Sequence, residues 1–327
     1  MPVLIDESKG AAGNPWGIRF QTVFHMSNDS GLFRTAAQLN TEGAQRDGPN
    51  WFDKSKSVWV PLYEGKMVQA FDHRAASVEV NAANLIRPGQ PRPTTEVEHI
   101  DPHFSVEPQY WVKDSDVETH LSDYWNRPWM IAFKSVTSPT NERTFVASLV
   151  FHCGLSNSLI GLLPKSTDYM RCAALYGNIN ALVTDVVARN KVGGVNLNFF
   201  LVKQFCILPP DKYKSCDLEF IVPRVLELTY TANDIAPFAS DLGYKGKPFA
   251  WNSDRRSIVR AELDAYYAKL YGLTRDELRY ILDPADVYGD EYPSMTFPGL
   301  KRNEIRDFGE YRTRRLVLEA WDQYCEQ

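Results

Sequence analysis

"VPLYEGKMVQAFDHR", residues 60–74, holds an apolar run that ends in a Gly-Lys step and a second, alternating run that closes on His73-Arg74. The pattern predicts strand, turn, strand, with the turn at Gly65-Lys66. A plain surface hairpin needs only the glycine. A hairpin that meets a phosphate backbone needs cations as well, and Lys66, His73 and Arg74 bracket this turn. Both readings are open from the stretch itself.

On its N-terminal side, residues 1–50 read as an irregular connector rich in Gly, Pro, Asn and Ser. Within it "SNDSGLFRTAAQL" has a polar capping start and then Leu32, Phe33, Ala36 and Leu39 at helical spacing. On its C-terminal side, residues 86–103 carry four prolines and read as an extended linker. "WMIAF" and "NERTFVASLVF" read as strands, and "YMRCAALYGNINALVTDVVARN" as a helix broken near Gly177. The glycine pair of "KVGGVNLNFFLVKQFCILPP" is expected to lead into a strand ending at Pro209-Pro210. Beyond residue 217 the pattern turns helical. There Ile258, Ala261, Leu263, Tyr266, Leu270 and Tyr271 form one apolar stripe, Thr274 and Glu277 a capping box, and "FGEYRTRRLVLEAWDQY" a last helix.

The 327 residues suffice for two domains with a sizeable core. A net charge of −5 excludes a uniformly basic nucleic-acid binder but leaves room for a locally basic groove. The five cysteines are scattered, odd in number and free of CxxC, as expected of free buried thiols in a reducing compartment. With no signal-peptide pattern and no apolar run of about 18 residues, a cytoplasmic protein with no membrane association is expected.

Catalytic constellations are absent from the sequence: no GxSxG, HExxH, Walker loop or GxGxxG after a strand. His152 and Cys153 are strand neighbours that point to opposite faces, so they do not form a nucleophile pair. Asp283, Asp286, Asp290 and Glu291 make an acidic loop whose spacing departs from that of a calcium loop. No catalytic residue and no metal ligand is therefore assigned.

Two segments are locally basic. Residues 54–92 hold Lys54, Lys56, Lys66, Arg74, Arg87 and Arg92, and residues 189–214 hold Arg189, Lys191, Lys203, Lys212 and Lys214. Both also offer groups that read base edges, among them Gln69, His73, Asn196, Asn198 and Gln204. Cations neutralise phosphates and amides specify bases, so Lys66, Gln69, His73, Arg74, Arg189, Lys191, Asn196, Asn198 and Lys203 are the candidate DNA-binding set. The alternative is two solvated loop faces.

Taken in order, "GNPWGIRF", "MSNDSGLFRT", "VPLYEGKMVQAFDHR", "NERTFVASLVF", "GNINALVTDVVARNKVGGVNLNFFLVKQFCILPP" and "RAELDAYYAKLYGLTRDELRYIL" give the chain a family resemblance. It resembles the C-terminal target-recognition region, TaqI-like in its specificity domain, of type IIG restriction–modification enzymes and related adenine-N6 DNA methyltransferases, including those of phage-defence systems. "GNIN" stands where that family has Leu-Asn-Ser, and "ILPP" stands at its Leu-Pro end. The resemblance implies a module that grips double-stranded DNA while a separate methyltransferase domain or subunit extrudes an adenine. It also implies that S-adenosylmethionine binds on that missing domain and not on this chain. The cofactor motif and the Asn-Pro-Pro-aromatic motif are both absent, "GNPWG" at 13–17 being one proline short. A split or truncated product is expected, with its own enzymatic activity left open.

The resulting expectation is a mixed α/β (α+β) fold: a connector over 1–50, a β-containing target-recognition domain over 51–216 and a mostly helical region over 217–327. Its function would be sequence-specific recognition of double-stranded DNA. The alternatives are an intact S-adenosylmethionine-dependent DNA methyltransferase or nuclease with an unrecognised site, and a protein-interaction scaffold.

Overall fold

In chain order the strands of the computed structural model are β1 (Arg19–Gln21), β2 (Gln45–Asp47), β3 (Asn50–Phe52), β4 (Val58–Tyr63), β5 (Ala76–Val80), β6 (Gly89–Pro93), β7 (Trp111–Lys113), β8 (Trp129–Lys134), β9 (Ala147–Phe151), β10 (Gly154–Leu155) and β11 (Leu159–Leu163). The α-helices are α1 (Ala36–Thr41), α2 (Glu96–Ile100), α3 (Asp114–Leu121), α4 (Tyr169–Asn180), α5 (Leu182–Lys191), α6 (Phe199–Val202) and α7 (Ser215–Thr229). They continue with α8 (Ala236–Asp241), α9 (Ser253–Leu270), α10 (Arg275–Leu282), α11 (Ala285–Tyr288), α12 (Pro298–Phe308) and α13 (Arg312–Tyr324). The structure describes residues 3–81, 83–84, 88–121, 124–293 and 295–325, so the basic residue Arg87 lies outside the described residues.

The fold is mixed α/β, with largely antiparallel sheets, β10 alone pairing in parallel with β4 among the described strands, followed by a helical C-terminal region. One sheet runs β1-β11-β8-β9, a second runs β10-β4-β3-β2 with β7 also on β4, and β5 pairs with β6. Strands β8, β9 and β11 are buried almost throughout, which explains their apolar runs without alternation. Being covered on both faces, β9 also needs its outer edge satisfied. Tyr176 and Asn180 of α4 do this: the Leu149 amide donates to Tyr176 Oη and the Ala147 amide to Asn180 Oδ1. Just before the strand, the amides of Thr144 and Phe145 donate to Asp185 Oδ1 on α5. The helices thus close an edge that would otherwise leave buried N–H groups unpaired.

The "GNIN" motif is accounted for by packing. Asn178 Oδ1 accepts from the Leu208 amide and so joins α4 to the "ILPP" segment. Gly177 stays inside α4, and the expected break falls instead at Ala181, where the Leu182 amide is held by Asp264 of α9. A Cβ on Gly177 would meet Tyr267 Oη at 2.7 Å and Val225 Cγ2 at 3.0 Å. That Tyr267 is fully buried and its hydroxyl is bonded to Ala174 O. Gly177→Ala is therefore expected to cost about 1–3 kcal/mol through overpacking, read as a lower urea midpoint at unchanged slope.

The hairpin expected at Gly65-Lys66 does not form. Residues 65–67 make a 3-10 turn, and the sharp reversal comes at Ala70-Phe71, where Gln69 and Asp72 exchange backbone bonds of 2.7 and 2.9 Å. Phe71 takes φ 61 there, a conformation that costs a non-glycine residue roughly 1 kcal/mol or more. Its ring is buried edge-on against Tyr176, which keeps it in place. Gly65 is needed for closeness rather than for a turn, since a Cβ would lie 2.6 Å from the Ser158 carbonyl oxygen.

Three further expectations change. The segment read as a linker over 86–103 contains β6 and α2; prolines fit β6 because, among the described strands, it pairs with β5 alone and few donors are needed. The segment after Gly193-Gly194 is the short helix α6, capped by Asn198, rather than a strand. Residues 1–50 are not a separate connector, since β1 joins β11, and β2 and β3 join β4. The capping box at Thr274 and Glu277 is present, as are the last helix and most of the α9 stripe, except that Ile258 is exposed. Among the described residues no helix is long and apolar enough to cross a membrane.

Candidate nucleic-acid interface

The nine residues selected from the sequence divide by burial. Arg74 is 0 % exposed. Its guanidinium donates to four backbone carbonyls, those of Asp101, Phe104, His99 and Thr231, at 2.8–3.1 Å. Burial pushes its pKa below the ordinary arginine value. It ties β5 to residues far along the chain and has no path to a phosphate. His73 is buried against Asp234, 2.9 Å from its carboxylate. Arg189 is likewise internal: it pairs with Asp185 and donates to the carbonyls of Pro139, Asn141 and Glu142. These three are corrections. Each side chain is engaged by the fold, because a buried polar or charged group persists only when it is paired or hydrogen-bonded.

Lys66 is intermediate, with Nζ 2.9 Å from Gly89 O and 3.0 Å from Glu64. It locks the 3-10 turn to β6, so it too is engaged within the chain. Gln69 is exposed. It sits at the mouth of a 420 Å³ cleft walled by α9, α12 and α13. Four arginines line that cleft, but so do six carboxylates: Asp72, Glu142, Asp254, Asp264, Glu304 and Asp307. An acidic surplus is unsuited to a phosphate backbone.

The second basic segment is different. α5 ends at Lys191, and an exposed loop follows through Gly193, Gly194, Val195 and Asn196. It is anchored by the Thr137 amide on Val195 O and the Leu197 amide on Ser135 O, which makes it an extension beside β8. The Lys191 and Asn196 side chains have no hydrogen bond or ion pair among the described residues. A Cβ on Gly193 or Gly194 would meet nothing within 4 Å, so neither glycine is demanded by packing inside this chain. Asn198 caps α6 through its Oδ1. Lys203 Nζ pairs with the exposed Glu7 at 2.7 Å and lies 5.4 and 5.6 Å from the rings of Phe199 and Phe200.

Sequence reasoning missed the contribution of β1. Val3 bridges to Cys206, and the amides of Leu4 and Ile5 donate to Phe205 O and Lys203 O. The N-terminal residues therefore lie along the end of α6, and Phe20 stacks on Phe199 with ring centroids 5.9 Å apart. The alternation in "GIRFQ" is the sequence signal for a strand there.

His152 Nε2 lies 2.6 Å from Asp114 in an open hollow with Glu118, Trp125 and Arg127, an oriented imidazole. Among the described residues no hydroxyl or thiol nucleophile lines that hollow, and the neighbouring Cys153 is buried, with its thiol pKa pushed well up. Asp283 is tied to Lys301, and Asp286 to Arg279 and Arg314, so these two carboxylates of the acidic loop are engaged within the chain. Among the described residues no cluster of His, Cys, Asp and Glu has the arrangement of a metal site. Among the described residues no strand leads through a glycine-rich turn into a helix. The chain matches no known family model and no curated protein.

Proposed function

We propose that the chain is a DNA-recognition module that works with a methyltransferase domain or subunit supplied elsewhere. The order of its motifs, which resembles that of adenine-N6 methyltransferase recognition regions, supports the reading. The observation that carries it is the 191–196 loop: a cation and an amide side chain without a partner among the described residues, and two glycines facing open space, all exposed. Glycines free of internal packing allow another backbone to approach closely. Lys191 then supplies a phosphate contact and Asn196 the paired donor and acceptor that read a base edge.

The test uses two exposed substitutions. Lys191→Ala is expected to weaken binding to all duplexes alike and to lower the slope of log affinity against log salt by about 1. Asn196→Ala is expected to cost about 1–3 kcal/mol on the preferred duplex and to relax preference at one base pair. Binding curves for both variants that superimpose on the parent, in affinity and in preference, would remove the loop from the interface.

A further inference from the structure

We infer that the inner end of the 420 Å³ cleft beside α9 binds one phosphate group, free or carried by a small molecule, at the guanidinium groups of Arg260 and Arg143. The inference does not rest on the DNA reading.

The cleft follows from the polar side of α9. Asp254, Ser257, Arg260 and Asp264 recur at three- and four-residue spacing, so they share one face of that helix. α12 adds Asn303 and Glu304, and Arg143, ahead of β9, reaches the same space. Arg143, Arg260 and Asp264 also line a smaller recess walled by Phe71 and Leu263, which puts them at the inner end of the cleft. The cleft volume falls in the range of small-molecule sites.

Its carboxylates outnumber its arginines, but all six already accept within the chain. Asp72 takes the Arg74 amide and faces His99, Asp254 takes Arg312, and Asp264 takes Arg143 and the Leu182 amide. Glu142 takes Asn303, Glu304 takes Thr313 and Asp307 takes Arg306. The arginines are matched less completely. Arg256 is spent on the carbonyls of Leu228 and Phe71, and Arg312 on Asp254. Arg143 gives Nη2 to Asp264 at 3.1 Å, while its Nη1 is buried with no acceptor among the described residues. Arg260 has no hydrogen bond or ion pair among the described residues. It is exposed, but into the cleft: burial, and after it the charge of Arg143, push its pKa below the ordinary arginine value. Two like charges held together away from bulk water favour an anion that joins them.

The chemistry of that anion follows from the donors. A planar carboxylate is filled by one guanidinium fork. A phosphate offers oxygens in several directions and accepts from two forks carried by different elements. The surrounding carboxylates repel longer polyanions, which restricts the ligand to a single phosphate group.

The experiment is calorimetric titration of the full chain with inorganic phosphate, acetate and deoxyadenosine monophosphate, in a buffer free of other oxyanions. Saturable phosphate binding is expected, with acetate about tenfold weaker or more. Arg260→Gln removes a guanidinium that holds no partner among the described residues. It is expected to keep the parent's melting midpoint in the absence of phosphate and to weaken phosphate binding about tenfold or more. Ser257→Asp, one turn before Arg260, gives that guanidinium a carboxylate of its own and is expected to weaken phosphate binding similarly. A nucleotide that binds more tightly than phosphate, and is lost in both variants, identifies the phosphate of a larger molecule as the ligand. Equal affinity identifies inorganic phosphate, and either result supports the inference. A parent that binds no phosphate, acetate bound as tightly as phosphate, or variants that bind phosphate as the parent does would overturn it. So would a marked fall in the phosphate-free melting midpoint of Arg260→Gln, which would assign Arg260 to the fold.

Discussion

Replacing Arg74 with alanine is expected to destabilise the protein by roughly 3–5 kcal/mol and to leave the DNA affinity of the remaining folded molecules unchanged. The cost follows from what the guanidinium holds. Three of its four carbonyl acceptors, His99, Asp101 and Phe104, come from one short segment, and the fourth is Thr231, 157 residues away in sequence. Truncation strips these buried oxygens of their donors and opens space where the arginine was fully enclosed. A chain of this size loses roughly 1.5 °C per kcal/mol, so the melting midpoint should fall by about 4–7 °C. Arg74→Lys should recover only part of the loss, because one ammonium does not reach all the acceptors of a planar fork. A variant with native stability and weaker DNA binding would instead return Arg74 to the phosphate role its sequence neighbourhood suggests.

Asp185→Ala is expected to be comparably damaging. One oxygen takes the amides of Thr144 and Phe145 at 2.7 and 2.6 Å, and the other takes Arg189 Nε at 2.8 Å. All of this is buried, so the alanine leaves two N–H groups and one guanidinium without their anion, at a cost of about 3–5 kcal/mol. The effect should localise. Hydrogen exchange should speed up first at residues 144–151, where α5 and α4 cover the edge of β9, and later in α9 and α13. Asp185→Asn should be milder at the amides, since its side-chain oxygen still accepts, but should free Arg189. Uniform exchange throughout the chain would contradict the edge-closing role.

These two residues also mark what the sequence could and could not disclose. The strands "WMIAF" and "ASLVF", the Thr274 cap and the helical tail were legible because each rests on local periodicity or capping chemistry. The exposed loop with Lys191 and Asn196 was legible for a similar reason, through its glycine pair. The fate of the other cations was not. A sequence shows that Arg74 and Arg189 are charged, but not that their acceptors are carbonyls assembled by tertiary structure. Tight approach was equally hidden. Gly65 looks like a turn glycine, whereas it is small because the Ser158 carbonyl lies against it, and the turn falls on Phe71. Proline density misled over 86–103, because a two-stranded ribbon tolerates proline where a wider sheet would not.

The most direct test of the DNA reading is the anisotropy of a labelled random-sequence duplex titrated with the full chain at about 50 mM and about 200 mM salt. The account predicts saturable binding at the lower concentration that weakens roughly tenfold or more at the higher, as phosphate-neutralising cations release counterions. Absence of binding at low salt, or binding indifferent to salt, would contradict it.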